Sequence, residues 1–235
     1  MRIFKILFSF LMPIFAGDEL AMPAHTDSST VVVHKGYTLC YDEEHEQAKW
    51  VAYRLTAKEL KGKAKRHGTF KQDPLVSTGS ANTNDYKYSG YDRGHLAPAA
   101  DMAWSKDAMK ESFYTSNISP QHPSFNRGIW KKLESQVRKW AKENDELLIV
   151  TAGMIFDTTK IGDVSVPMFF YKVILDNKEP ERKAIAFILL NEKSNIKLEN
   201  YAVTVDFVEA ITKINFFPTI EDSLEAKINK DLWFK

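Results

Sequence analysis

Apolar positions along the chain alternate in some stretches and recur at helical spacing in others. Val31 to Tyr41 reads as one or two strands with Lys35-Gly36 at a turn, and Lys49 to Leu55 alternates as a half-buried strand does. Leu147 to Thr151, Met168 to Leu175 and Ala184 to Leu190 are apolar runs rich in branched and aromatic residues. Gly, Asp, Asn or Pro bounds each of them, and they read as core strands. Tyr201 to Phe207 alternates again, and Val208 to Lys213 reads as a last short helix closed by Phe216-Phe217-Pro218. Two more helices are expected, one over residues 104–115, capped by Ser105. The other starts at Phe125, and its Ile129, Trp130, Leu133, Val137 and Trp140 fall on one face. Thr56 to Asp85 is polar and basic, with Gly, Pro and Asn, which predicts a long loop with short elements. Strand and helix patterns in one chain predict a mixed α/β class, with no internal repeat and no clear domain boundary.

Composition narrows this picture. The 235 residues, 44% of them hydrophobic, suit one domain with a sizeable core. A formal net charge of +1 does not advertise a polyanion partner, so any phosphate-binding surface must be local. Two stretches supply candidates: Lys58 to Lys71, with Lys61, Lys63, Lys65 and Arg66, and Arg127 to Lys139, with Lys131, Lys132 and Arg138. Both read equally as solvated helix faces. Cys40 is the only cysteine, so an internal disulfide is excluded, and its strand-like surroundings mark it as a buried structural thiol. At the N-terminus Arg2 and Lys5 precede a short apolar run, Ile6 to Phe15, with Ala16-Gly17 or Ala21 as cleavage site. Residues 1–21 are therefore expected to be a signal peptide, 22–30 a linker and 31–235 the domain. Export to a periplasm or the outside follows, with no membrane anchor.

Candidate chemistry lies in two segments. Tyr91 to Met102 contains Asp92-Arg93-Gly94-His95, which sets a histidine that titrates near neutrality beside a permanent cation. Alone, such a tripeptide is as readily a surface feature. Asn117 to Glu134 adds what it lacks. Asn126 sits near the start of the amphipathic helix, and Glu134, eight residues on, is about 80° around the axis and faces the same side. An amide oxygen plus waters suits a loosely held Mg²⁺. Taken singly, Asn126 also reads as a helix cap and Glu134 as a partner of Arg138 at i+4. A base, a cation and a metal site together are what phosphodiester hydrolysis needs.

These segments strongly resemble the DNA/RNA non-specific endonuclease family. The resemblance rests on Asp92-Arg-Gly-His95, then Asn117-Ile-Ser-Pro-Gln121, then Asn126-Arg-Gly-Ile-Trp-Lys-Lys-Leu-Glu134. It extends in order to Trp50-Val-Ala-Tyr53, Phe70-Lys-Gln-Asp-Pro74, Asp85-Tyr86, Val166 to Ile174 and Val203-Thr-Val-Asp206, covering roughly residues 35 to 220. It implies an α+β fold: a ββα-metal active site on a mixed, mainly antiparallel sheet flanked by helices. It implies a metal-dependent hydrolase that cuts DNA and RNA with little sequence preference and leaves 5′-phosphate ends. By position, His95 resembles the general base, Asn126 the sole protein ligand of Mg²⁺, Arg93 the residue that stabilises the transition state, and Glu134 the carboxylate that orients water on the metal. Asn117 resembles the amide that hydrogen-bonds near the histidine, and Gln121 lies in the same loop as a substrate-binding residue. A further basic residue of the family precedes Phe70; the spacing departs there, and Arg66 is taken for it. Mn²⁺ stands beside Mg²⁺ as cofactor, and since relatives dimerise, a homodimer stays open.

Two rival classes remain on the sequence alone. One is a nucleic-acid-binding protein that kept the scaffold and lost catalysis; the joint presence of His95, Asn126, Arg93 and Glu134 argues against it. The other is an exported phosphodiesterase or phosphatase for small substrates, against which the long basic segment from Lys58 to Lys71 favours a polymer.

Overall fold

The computed structural model describes residues 22–24 and 31–234. The expected signal peptide and residues 25–30 of the expected linker lie outside the described residues. Met22 packs on the domain, and the Ala24 amide donates to the Asn215 carbonyl at 2.8 Å.

In chain order the elements are β1 (Val31–Val33), β2 (Thr38–Asp42), β3 (Gln47–Thr56), β4 (Asp92–His95), α1 (Lys106–Glu111), β5 (Ile118–Gln121), α2 (Lys131–Asn144) and β6 (Glu146–Met154). There follow β7 (Lys160–Ile161), β8 (Val164–Ser165), β9 (Phe169–Asp176), β10 (Lys183–Leu190), β11 (Ala202–Val203), α3 (Val205–Thr212), α4 (Asp222–Glu225) and α5 (Lys230–Trp233). Seven strands pair antiparallel in the order β1-β2-β3-β6-β9-β10-β11. β3 and β6 are neighbours in this sheet although most of the functional sequence lies between them. That intervening stretch forms its own unit, the antiparallel pair β4–β5 followed by α2.

Helices cover both faces of the sheet, so its central strands are buried on both sides. Leu147 and Ile149 of β6 face one core with Leu133, Val137 and Trp140 of α2. Leu148, Val150 and Ala152 face the other, with Val205 and Val208 of α3 and Phe216 and Phe217. Two-sided burial explains why these strands are continuous apolar runs rather than alternating ones. Cys40 is buried in β2, as its strand setting predicts.

The structure moves three expected boundaries. The extended reading of Tyr201 to Phe207 holds only for Ala202–Val203, because the Thr204 hydroxyl accepts from the Phe207 amide at 3.1 Å and starts α3 at Val205, three residues before the expected Val208. The helix expected over 104–115 is shorter, with Ser105 capping it at the Asp107 and Ala108 amides. The helix expected from Phe125 comes in two parts: a turn over Phe125–Trp130, broken at Gly128 (φ −105°, ψ −109°), then α2. The polar stretch from Thr56 is a long loop with short helical turns, as expected. Among the described residues no helix is long and apolar enough to cross a membrane.

Packing of α2 positions everything built on it. Leu133→Ala removes a fully buried anchor of that helix, and unfolding in urea is expected to show a loss of about 2–5 kcal/mol. A loss below about 0.5 kcal/mol, the range of surface substitutions, would mean that α2 is not docked through this face.

Candidate active site

Arg93 and His95 are two residues apart on β4, so their side chains leave the same face of the strand. Both reach Phe70: the Arg93 guanidinium lies 5.7 Å from its ring, and the His95 ring centroid 5.6 Å. Gly94 points the other way, against the buried side chain of Gln121. A Cβ at Gly94 would stand 2.1 Å from Gln121 Cδ, so this close approach admits no side chain.

His95 is wedged among aromatic rings, with Phe113 edge-on at 4.9 Å. Its Nε2 is buried and has no hydrogen-bond partner among the described residues. Burial disfavours the imidazolium, the Arg66 guanidinium repels it further, and together they push the pKa down to about 3. The ring is therefore neutral across the physiological range and keeps Nε2 for a partner; the negative charge of a bound phosphate would raise its basicity. Arg66 is exposed, with its guanidinium 5.1 Å from the Phe113 ring, so the structure brings it to the wall of the same site. Arg93 donates to the Thr83 carbonyl at 2.7 Å and lies 5.8 Å from the Tyr86 ring.

Asp92 joins β4 to the segment before α2. One of its oxygens accepts from Asn126 Nδ2 at 2.8 Å and from Arg127 Nε at 2.8 Å, and the other accepts from Arg127 Nη2 at 2.5 Å. With its nitrogen engaged by Asp92, Asn126 keeps its carbonyl oxygen for other partners. Asn126 is therefore not the helix cap that its position also suggested; Ser124 precedes the turn, without a capping bond from its side chain. A single neutral oxygen fits a hard cation that keeps most of its waters.

Asn117 is fully buried, and its amide is spent on the backbone. Oδ1 accepts from the Ala97 amide at 2.9 Å, while Nδ2 donates to the carbonyls of Ala97 (3.0 Å) and Ser112 (2.9 Å). It fixes the chain two residues beyond His95, so it acts near the histidine by holding the backbone. Gln121 is also fully buried, yet neither amide atom has a partner among the described residues.

Glu134 lies over a group of charges that sequence reasoning missed. Lys172, in the middle of β9, is fully buried; its Nζ sits 4.9 Å from the Trp130 ring and 5.8 Å from the Tyr53 ring. Asp101 is buried beside it, held by Tyr53 Oη at 3.0 Å and by Arg138 at 2.9 Å. Arg138 thus pairs with Asp101, neither with Glu134 at i+4 nor as part of a solvated phosphate-binding face. Burial pushes the Glu134 carboxyl up; Lys172 opposes this most, Asp101 reinforces it, and Arg138 and Arg66 oppose it. The signal for Lys172 was present in Phe169 to Leu175, where it is the one charge in an apolar strand. Arg127, Lys131, Lys132 and Lys139 line a shallow groove along the outer side of α2, so this basic stretch does offer a cationic surface.

The family model for DNA/RNA non-specific endonucleases matches residues 18–223. A mitochondrial nuclease EXOG of Danio rerio is 35% identical over 208 residues, spanning 80% of this chain and 61% of its own length. Nuclease C1 of Cunninghamella echinulata var. echinulata is 36% identical, with 80% of this chain and 83% of that protein covered. Mitochondrial endonuclease G of Homo sapiens is 32% identical, with 79% and 69% covered. The chain thus spans less than two thirds of the zebrafish protein and more of the other two. A crystal structure of an EndoG/EndoGI complex superposes with a TM-score of 0.77 at 28% identity, covering 88% of this chain and 93% of that one. The ββα unit inserted between neighbouring strands of an antiparallel sheet, and the match over nearly the whole described chain, make this protein a member of the DNA/RNA non-specific endonuclease family of hydrolytic nucleases.

Proposed function

We propose that the protein is a Mg²⁺-dependent endonuclease that hydrolyses DNA and RNA with low sequence preference and leaves 5′-phosphate ends. The observation that carries this reading is the neutral His95, its Nε2 unpaired, on the same strand face as Arg93 and beside a segment whose Asn126 amide is oriented by Asp92. His95 takes a proton from water, and the resulting hydroxide attacks phosphorus. The bond to the 3′ oxygen breaks, and that oxygen takes up a proton to leave a 3′-hydroxyl. Arg93 stabilises the charge that develops on the phosphoryl oxygens. Asn126 would hold Mg²⁺ or Mn²⁺, which when bound would supply charge neutralisation for the transferring phosphoryl group. Glu134, whose ionised form Lys172 favours against the effect of burial, orients water at that site. Arg66 contacts the substrate, while Gln121, expected as a substrate-binding residue, is fully buried against Gly94 and acts beneath the site rather than touching substrate directly. Asn117 positions the backbone that carries His95. Low specificity follows from contacts made mainly to phosphate and sugar, which carry no sequence information. The positive N-terminal region and apolar run within residues 1–21 support export.

Cleavage of supercoiled plasmid and of RNA tests the assignment. His95→Ala is expected to lose activity by a factor of about 10² or more while binding of a short duplex persists. For Asn126→Ala, loss of rate together with a weakened Mg²⁺ titration is expected, and an unchanged titration removes it as a ligand. NMR titration of the free enzyme should find the His95 ring neutral down to about pH 5, because its pKa is depressed towards about 3. A midpoint near the ordinary value of about 6.5 would contradict the buried, uncharged base. Lys172→Met removes the cation that most opposes protonation of Glu134. The acidic limb of the pH–rate profile should then move up by about one unit, with activity partly recovered at higher pH. A uniform loss at every pH would assign Lys172 to packing alone, and Lys172→Arg should keep the wild-type profile.

A further inference from the structure

On the face of the sheet opposite α2, three carboxylates converge. Asp206 and Glu209 are three residues apart on α3, which puts them on one side of that helix. Glu225 ends α4. One carboxylate oxygen from each lies within 4.8 Å of the other two. The supports are specific. Thr204 caps α3, and Glu209 Oε1 accepts from the Phe216 amide at 2.7 Å, which holds the chain between α3 and α4. Glu225 is only 3% exposed, and its Oε1 has no hydrogen-bond partner among the described residues. Nothing in the nuclease chemistry uses these residues.

A buried carboxylate beside two others is costly unless a proton or a cation compensates it. The ligand chemistry selects the cation. The oxygens are all carboxylate, with no histidine or cysteine in the group, so the preference is for hard ions. Three atoms mutually within 4.8 Å share a point no farther than about 2.8 Å from each. A few tenths of an ångström of closure reaches Ca–O distances of about 2.3–2.6 Å, whereas Mg–O distances of about 2.0–2.1 Å demand more. We propose that Asp206, Glu209 and Glu225 form a calcium-type site that clamps α4 to α3, separate from the catalytic metal. Three protein oxygens with water filling the remaining positions place its affinity with sites of about 10⁻⁴–10⁻³ M.

Burial and the neighbouring carboxylates of Glu209, Asp206 and Asp222 raise the Glu225 carboxyl, as crowding of like charge requires.

The test uses the full chain carrying Asn126→Ala, so that the proposed catalytic site does not contribute. Calcium chloride alone is the probe, followed by calorimetric titration and by thermal unfolding. One calcium per chain is expected, with a rise in Tm of about 3–6 °C at tenfold excess over Kd and a smaller response to magnesium. Glu225→Gln and the exposed Asp206→Asn, each added to that background, should abolish the shift. In otherwise wild-type protein both should leave plasmid cleavage in Mg²⁺ unchanged, which separates failure of this site from failure of the nuclease reading. No stoichiometric calcium binding, or a Tm shift that survives both substitutions, would overturn the proposal.

Discussion

The Asp92 carboxylate is the tie on which the site depends. It sits three residues before His95 on β4 and reaches across to Asn126 and Arg127 at the start of the helical segment. Strand and helix come from opposite ends of the inserted unit, so no local geometry relates them; this carboxylate does. Most of Arg127 is in solvent, with 72% of its side chain exposed against 16% for Asp92. The Arg127 pair therefore adds little stability. Its value is geometric: a forked guanidinium presents a planar grip that fixes the carboxylate's plane. The carboxylate in turn decides which end of the Asn126 amide faces outward. A carboxylate accepts only, so the amide nitrogen must turn towards it.

Beneath that surface, a second constraint sets the charge state of Glu134. Glu134 and Asp101 are paired in sign by Lys172 and Arg138, with Tyr53 and Trp130 filling the space between. Burying Lys172 without a direct hydrogen bond among the described residues is expensive unless neighbouring charges compensate. The aromatic faces of Trp130 and Tyr53 recover part of that cost by attracting the ammonium. The outcome is a carboxyl poised at about 7 at the edge of a hydrophobic core, raised by burial and held from rising further chiefly by Lys172. The helix that carries it is docked by Leu133, Val137 and Trp140, so packing and electrostatics share one element.

Parts of this design are local, and those were readable. Asp92 to His95 and Asn117 to Glu134 are contiguous, and α2 announces its buried face by spacing alone. The apolar runs of β6, β9 and β10 likewise declare a core, because two-sided burial leaves few polar positions to confuse the period. Other parts are nonlocal. Nothing near Lys172 in sequence points to Glu134 or Asp101; only the sheet order and the docking of α2 bring them together. Arg138 shows the same effect in reverse, since its sequence neighbours suggested a partner that the fold replaced with Asp101. The shifted start of α3 is a different kind of miss. Alternation in Tyr201 to Phe207 was real, but one hydroxyl at Thr204 outweighed it, as a cap does when the next three amides need acceptors.

The order of the sheet carries a further consequence. Unpaired backbone groups of an antiparallel sheet gather where a strand lacks a neighbour; among the described residues the outermost strands are Val31–Val33 and Ala202–Val203, and β11 covers only Ala186 and Phe187 of β10. The long strands, β3, β6, β9 and β10, are all interior. An outer strand of two or three residues gives an incoming chain too few hydrogen bonds to extend the sheet. The two strands with neighbours on both sides along most of their length, β6 and β9, are thereby kept from joining edge to edge with another chain.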